Sequence, residues 1–264
     1  MLGLADPPAP PVTSDLESVE LVLRLLEVLA VSTEPRGVTD LARELAISKP
    51  RAHRHLRALV QRGYARQDPR TEGYEIGIRV LALGEMVRDR FDAVGAMRPA
   101  MAPLREATGL TVTASAIVGE EVIVLEMLQG RTAIEFTVRP GSSLALHASA
   151  HGLVALAFGP PALMNALLDK PLSAFTDRTL TDPEILRAEI ARIRQQGWAT
   201  AVDAVQVGVN ALAAPVFDHR GGCRGAIALV GATQFIPETP FDRQVELVMG
   251  AARDASLRLG WHTS

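Results

Sequence analysis

Two short helical patterns separated by a three-residue turn occupy residues 39–63, TDLARELAISKPRAHRHLRALVQRG. Thr39 is a candidate N-cap for the first helix. Ser48 is the candidate cap of the second, Pro50 suits its first turn, and Gly63 follows its end. Apolar residues fall on one face of each helix: Leu41, Ala42 and Leu45 in the first, Ala52, Leu56, Leu59 and Val60 in the second. This arrangement predicts a helix-turn-helix.

Positive charge is concentrated around these helices. Residues 36–70 hold nine basic residues against three acidic ones, a charge of +6, whereas the whole chain is −3, so the other 229 residues carry −9. The predicted outer face of the second helix presents Lys49, Arg51, Arg54, His55 and Arg57. Such a face is often only a solvated surface, but on a helix-turn-helix it indicates phosphate binding.

A basic hairpin is predicted next. Residues 64–67 and 74–76 read as short strands around the turn-rich sequence DPRTEG, which is the pattern of a wing. Arg66 and Arg70 would lie along it. We therefore predict a winged helix-turn-helix whose DNA-contacting residues are Ser48, Lys49, Pro50, Arg51, His53, Arg54, Arg57, Arg66 and Arg70.

The rest of the chain is patterned as strands, then helices, then strands. Strands are predicted at 110–118, 121–128, 133–138, 210–217 and 224–232. A helix over 182–197 has Asp182 as its cap and Gly197 at its end, and Ser149 is a candidate cap for another helix. This order predicts an α+β domain in which helices pack on one antiparallel sheet.

Composition excludes several classes of protein. The single Cys223 rules out an intramolecular disulfide, which fits a reducing compartment. No apolar run approaches the roughly 18 residues of a membrane helix, and the N-terminus lacks a signal-peptide pattern. We expect a cytoplasmic protein with no membrane association, and a disordered Pro-rich tail over residues 1–13.

Several segments, in this order, resemble the IclR family of bacterial transcription regulators. They are SVELVLRLLEVLA, GVTDLARELAISKPRAHRHLRALVQRGYARQD, GYEIGIRVLALG, MRPAMAPLREATGLTV, LALHASAHG, GWATAVDAVQVGVNALAAPV and GAIALVG. The resemblance implies a winged helix-turn-helix (14–78), a linking helix (79–95) and a GAF/PAS-like effector domain (96–264). It also implies homodimers or homotetramers that bind palindromic operator DNA and a small organic acid effector.

The predicted recognition helix departs from the family pattern. Pro50 stands where members often have a small hydroxyl residue, and Arg51 where Thr or Ser is frequent, whereas His53 and Arg54 fit the common HR pair. The departure suggests a different base preference. Arg51 would either address guanine bidentately or bind a phosphate, and the sequence leaves both open.

An apolar stripe marks the segment between the two domains. Its residues are Leu81, Leu83, Met86, Val87 and Phe91, and weak points in the helix are expected at Gly95 and near Pro99. The stripe is either domain core or a helix–helix seam of the dimer that palindromic DNA requires.

The resemblance also places the effector site. It implies that Ala150 and His151 offer backbone N–H groups to a carboxylate, with Leu144 and Leu146 nearby. Members that sense small polar acids carry Asp, Cys and Ser side chains at positions matching Ala201, Ala211, Ala228 and Val230 here. This apolar wall predicts an aromatic or otherwise hydrophobic acid and a regulator of aromatic catabolism. The rival interpretation is a tightly packed core with no effector.

No catalytic or metal centre is expected. His147 and His151 are four residues apart, but Ser149 is expected to start a helix between them, and no third ligand completes a metal site. Cys223 has no evident His partner, and Asp203 and Glu135 are isolated carboxylates of the expected surface. We therefore predict no cofactor. The alternative function is a small-molecule-binding protein or enzyme whose basic N-terminal domain makes protein contacts.

Overall fold

The computed structural model describes residues 14–88, 92–131 and 138–262, and the chain divides into two compact units between Val87 and Arg88. The predicted tail, Phe91 and most of the predicted strand 133–138 lie outside the described residues. Among the described helices, none combines the length and apolarity needed to span a bilayer.

The N-terminal unit is a winged helix-turn-helix. Its hairpin is antiparallel, with Arg66 opposite Glu75, and Arg36 forms a further bridge to Tyr74. Leucines from all three of its first helices are buried together against Tyr74. The elements are α1 (Ser14–Val31), α2 (Val38–Glu44), α3 (Lys49–Gln61), β1 (Ala65–Gln67), β2 (Tyr74–Ile76) and α4 (Ile78–Arg88).

The helix ends differ from the sequence prediction at one position. Thr39 is not the cap of α2, because Gly37 occupies that position in an extended conformation and the helix already begins at Val38. Ser48 is the N-cap of α3 as predicted, although its hydroxyl makes no capping hydrogen bond. Gly63 follows α3 with a φ of 76°, a conformation that glycine adopts without steric cost.

The C-terminal unit is an α+β domain built on one antiparallel sheet of order β5-β4-β3-β8-β7-β6. The strands are β3 (Thr111–Val118), β4 (Glu121–Leu128), β5 (Ser143–Leu144), β6 (Ala199–Thr200), β7 (Val209–Phe217) and β8 (Cys223–Ala232). The helices are α5 (Asp92–Thr108), α6 (Ala150–Phe158), α7 (Ala162–Leu168), α8 (Pro183–Gln196) and α9 (Asp242–Arg258).

Each face of this sheet carries its own core. Helices α5 and α9 pack on one face, where Val112 and Ala114 of β3 are buried with Leu212 and Ile227. Helices α6 and α8 cover the other face. Because side chains alternate along a strand, the intervening Thr113 and Ser115 are directed toward α6.

Helix α5 does not break where the sequence suggested. It runs from Asp92 to Thr108 through Gly95, and both Pro99 and Pro103 lie inside it. Each proline removes one helical hydrogen bond. Burial of Met97, Met101 and Leu104 against the sheet stabilises the helical path in spite of that loss.

Asp182 caps α8 and provides a first test of the fold. Its Oδ1 accepts hydrogen bonds from the backbone N–H groups of Glu184 at 2.7 Å and Ile185 at 3.2 Å. We expect Asp182→Ala to lower the free energy of unfolding by about 1 kcal/mol, because those donors lose their acceptor. Urea unfolding measures the change, and Asp177→Ala, an exposed aspartate in the preceding loop, is the control. Equal effects of the two variants would contradict the capping role.

Candidate nucleic-acid interface and ligand cavity

The outer face of α3 presents positive charge that is not neutralised. Lys49, His53, Arg54 and Arg57 are exposed. The structure, over its described ranges, places no acidic group within ion-pair distance of Lys49, Arg54 or Arg57. Ser48 and Pro50 are exposed at the start of the same helix. Cations in this state are available to contact phosphates or base edges.

Arg51 differs from the other arginines of α3. It is half-buried, and its Nη2 lies 3.7 Å from Oε2 of Glu17 on α1. The pair ties the side chain back to its own domain. Reaching DNA therefore requires Arg51 to exchange Glu17 for a nucleic-acid acceptor.

Releasing Arg51 is expected to increase DNA affinity modestly. An ion pair this exposed stabilises the protein by about 0–1 kcal/mol. Glu17→Gln removes the need to break it on binding, so the affinity for DNA should increase by up to about fivefold. Fluorescence anisotropy on DNA selected by the full-length protein from a random pool measures this. Glu20→Gln removes the same charge from an exposed site on the same helix. If both variants gain equally, general charge rather than the Arg51 pair is responsible.

His55 does not belong to the basic face, contrary to the sequence prediction. Its side chain is half-buried, and its Nε2 is buried without a hydrogen-bond partner among the described residues. Burial, followed by the charges of Arg54 and Arg51, lowers the pKa of the His55 ring. The ring therefore adds packing rather than charge to α3.

The two wing arginines are in different states. Arg66 pairs through Nη2 with Oε2 of Glu75 at 2.6 Å, whereas Arg70 is exposed at the turn. Asp68 shapes that turn by accepting hydrogen bonds from the Arg70 backbone N–H and the Thr71 hydroxyl. These bonds, led by the one from Arg70, lower the pKa of Asp68. Arg70 is thus the wing cation that is free to reach a phosphate.

A cavity of about 540 Å³ lies in the C-terminal unit between the sheet and the start of α6. Six of the eight predicted effector residues line it: Leu144, Ala150, His151, Ala201, Ala211 and Val230. Two do not. Ala228 is fully buried in the core on the same face, and Leu146 packs by its backbone against Gly152.

The start of α6 offers backbone donors to this cavity. The Ser149 hydroxyl oxygen accepts from the Gly152 N–H at 3.0 Å, and the Ser149 carbonyl accepts from Leu153. The N–H groups of Ala150 and His151 have no acceptor within the described part of the chain. A helix N-terminus with open donors favours an anion.

Gly152 is required for this arrangement. A Cβ at residue 152 would lie only 2.5 Å from the Cα and carbonyl oxygen of Leu146. The glycine therefore lets residues 145–146 pass close to the first turn of α6. That close approach holds the open donors against the cavity.

The described part of the cavity wall is mostly apolar. Val124, Leu144, Val209, Ala211 and Val230 provide its hydrophobic surface. No Lys, Arg, Asp or Glu occurs among the lining residues that the structure describes. An anion bound here would be held by neutral donors, and the rest of the ligand would contact hydrocarbon.

A polar corner, which was not predicted from the sequence, interrupts this wall. Nε2 of His151 lies 2.8 Å from the Thr113 hydroxyl, and Nδ1 lies 2.8 Å from the Ser115 hydroxyl. Burial lowers the pKa of the His151 ring to about 4, so the ring is neutral at pH 7. The signal was present in the alternation of Thr111, Thr113 and Ser115 along an otherwise apolar strand.

The loop 201–208 covers one side of the cavity through Val205 and Gln206. Asp203, predicted as an isolated surface carboxylate, instead holds this loop: its Oδ1 accepts from the Gly208 N–H at 2.6 Å. The hydroxyls of Thr176 and Thr179 donate to the carbonyls of residues 203 and 204, each at 2.6 Å. Asp203 thus has a structural role.

The histidine and the cysteine considered above as a metal ligand and a nucleophile have structural roles. Nε2 of His147 donates to the Ser173 carbonyl at 2.9 Å. In the described ranges no three His, Cys, Asp or Glu side chains are grouped to hold a metal ion. Burial raises the pKa of the Cys223 thiol to about 12, so it stays protonated at neutral pH.

Three residues of the predicted apolar stripe, Leu81, Leu83 and Met86 of α4, have exposed side chains, as does the neighbouring Ile78. Ile78, Leu81 and Met86 are 76%, 59% and 74% exposed, and Leu83 is 41% exposed. Nothing is described of the Val87 side chain or of Phe91.

Two family models together match most of the chain. The IclR helix-turn-helix domain matches residues 18–69, and the bacterial transcriptional regulator IclR C-terminal region matches residues 86–257. The transcriptional regulator BhcR of Paracoccus denitrificans is 31% identical over 242 residues, which cover 91% of this chain and 86% of BhcR. The transcriptional repressor AllR of Escherichia coli is 29% identical over 259 residues, covering 98% and 94%.

Solved structures resemble the whole chain. A putative IclR transcriptional regulator from Silicibacter sp. TM1040 has a TM-score of 0.81 and 28% identity, covering 94% of this chain and 98% of its own. An IclR homologue from Microbacterium hydrocarbonoxydans, crystallised with 4-hydroxybenzoate, has a TM-score of 0.79 and covers 92% and 99%. At 24% identity, the latter shows a shared fold alone.

Proposed function

Because the chain belongs to the IclR family of transcriptional regulators, we propose that its cavity binds an aromatic carboxylic acid and that this ligand changes the affinity of the winged helix for operator DNA. The observation that carries the proposal is the composition of the cavity. Open N–H donors at the start of α6 face a wall of aliphatic side chains that, as far as its residues are described, includes no cation.

The size and polarity of the cavity suit such a ligand. Its volume of about 540 Å³ lies within the roughly 300–1,000 Å³ of ordinary small-molecule sites. A carboxylate would accept from the N–H groups of Ala150 and His151, and an aromatic ring would cover the apolar wall. A small oxo acid such as glyoxylate or pyruvate would leave that wall uncovered, and Ala201, Ala211 and Val230 offer its polar groups no hydrogen bond.

The DNA-binding part of the proposal rests on three cations of α3 that have no ion-pair partner among the described residues. Lys49, Arg54 and Arg57 would contact phosphates or bases in the major groove, and Arg70 would contact the backbone from the wing. Exposed apolar residues on α4 suit a seam between two copies, and two copies related by a two-fold axis would match a palindromic operator.

The experiment is a melting-temperature panel on the full-length protein. Benzoate, phenylacetate and 4-hydroxybenzoate, the last taken from the Microbacterium hydrocarbonoxydans structure, are compared with glyoxylate and pyruvate. A ligand at 100 times its Kd stabilises the folded state by about 2.7 kcal/mol. We expect a shift with at least one aromatic acid and none with the two keto acids. A shift with the keto acids alone would contradict the proposed ligand class.

A further inference from the structure

Three buried polar side chains form a hydrogen-bonded chain at the edge of the cavity. Thr113 and Ser115 are 1% and 0% exposed, and His151 between them is 4% exposed. Both ring nitrogens of His151 are engaged, each 2.8 Å from one hydroxyl oxygen. Such a chain has a direction, because a neutral imidazole has one N–H donor and one bare nitrogen acceptor.

The hydrogen bonds of this chain can run in either of two directions. The ring and the two hydroxyls carry three protons, and the two hydrogen bonds use two of them. If Nε2 carries the ring proton, Ser115 donates to Nδ1, Nε2–H donates to Thr113, and the Thr113 O–H is left to donate elsewhere. In the opposite tautomer, Thr113 donates to Nε2, and the Ser115 O–H is left over.

Burial decides between the two directions. Ser115 is fully buried and is not part of the cavity wall, and within the described residues its hydroxyl has no partner other than His151. A leftover O–H there would be an unsatisfied buried donor, which is destabilising. Thr113 lines the cavity, where its leftover O–H has room for an acceptor: water in the ligand-free protein and an oxygen of the ligand in the complex.

We infer that the Ser115–His151–Thr113 chain fixes the Thr113 hydroxyl as a hydrogen-bond donor directed at the ligand, and so makes the cavity select ligands that place a hydrogen-bond-accepting oxygen at β3. Thr113 is the contacting residue, and His151 and Ser115 are positioning residues. The inference rests on the proposed function for the class of ligand, but the direction of the chain is a property of the protein alone.

The tautomer is measured without any ligand. Long-range ¹H–¹⁵N correlation spectra of the ¹⁵N-labelled full-length protein at pH 7 distinguish Nε2–H from Nδ1–H imidazoles, and the His151 signal is assigned by its perturbation in Thr113→Val. We expect the Nε2–H tautomer. In Ser115→Ala, which removes the donor to Nδ1, we expect a mixture of tautomers. An Nδ1–H tautomer in the unaltered protein would overturn the inference.

Ligand binding tests the hydroxyl itself. Calorimetric titration with benzoate and with 4-hydroxybenzoate is compared for the unaltered protein, Thr113→Val and Thr113→Ser. The valine variant keeps the shape and loses the donor, so we expect about tenfold weaker binding, and the serine variant restores the hydroxyl and should bind within about twofold of the original. Loss for both ligands places the carboxylate at Thr113, and loss for 4-hydroxybenzoate alone places the phenolic oxygen there.

The inference about Thr113 and the proposed ligand class can be contradicted independently of each other. If Thr113→Val binds both acids as tightly as the unaltered protein, the inference is wrong and the proposed function stands. If the unaltered protein binds no aromatic acid, the proposed ligand class is wrong, and the tautomer still decides the direction of the chain.

Discussion

Replacing Arg54 by alanine is expected to weaken binding to the selected operator by about 5- to 150-fold, the loss of the roughly 1–3 kcal/mol that one specific arginine–base contact is worth. Arg54 is exposed on the outer face of α3 and has no ion-pair partner among the described residues. Arg54→Ala therefore removes a contact to DNA without breaking a described ion pair within the protein. Fluorescence anisotropy at several salt concentrations measures the loss.

Salt dependence also separates the two kinds of contact. If Arg54 reads a base, Arg54→Ala relaxes sequence preference at that position. If it binds a phosphate, affinity falls uniformly across sequences and the salt slope decreases by about 1. Arg187→Ala, at an exposed position of α8 in the other unit, makes the same charge change and should bind DNA normally. An unchanged affinity in Arg54→Ala would remove α3 from the proposed interface.

Filling the cavity is expected to abolish the response to ligand. Ala211 on β7 lines the cavity, so the phenyl group of Ala211→Phe would occupy the space proposed for the aromatic ring of the acid. The stabilisation of about 2.7 kcal/mol at 100 times the Kd should disappear. The melting temperature with and without benzoate or 4-hydroxybenzoate measures this.

The matched control is Ala191→Phe, at an exposed position of α8, which should retain the whole stabilisation. If Ala211→Phe melts near the unaltered protein and is still stabilised by the aromatic acid, the ligand binds elsewhere. The melting temperature without ligand separates exclusion of the ligand from a loss of folding.

The architecture was predictable because its signals are local. Helix spacing in 39–63, the turn at 68–73 and the cap residues Asp182 and Ser149 each determine structure over a few residues, and these elements occur where the sequence placed them. Thr39 failed as a cap because an extended glycine two residues earlier lets the helix begin sooner. Local sequence predicted a break in α5, but the helix is continuous. Its packing against the sheet outweighs the hydrogen bonds that the two prolines remove.

The apolar residues of the cavity could be predicted from the sequence, whereas its buried hydrogen bonds could not. Ala201, Ala211 and Val230 were found because the family resemblance fixes their positions along the chain. His151 lies 38 residues from Thr113 and 36 from Ser115 along the chain, and its contacts with them exist only once β3 and α6 pack together. The Glu17–Arg51 pair depends in the same way on the packing of α1 against α3. Long-range pairing of polar side chains leaves only a weak trace in one sequence, here the polar alternation of β3.

The most direct test of the central claim is the affinity of the full-length protein for its selected operator with and without ligand. We would titrate the protein onto fluorescent operator DNA in saturating benzoate, phenylacetate or 4-hydroxybenzoate, with glyoxylate as the comparison. We expect at least one aromatic acid to change the Kd for DNA by about 5- to 150-fold, the usual range for allosteric coupling, and glyoxylate to leave the Kd unchanged. A Kd that no aromatic acid alters, or that glyoxylate alone alters, would contradict it.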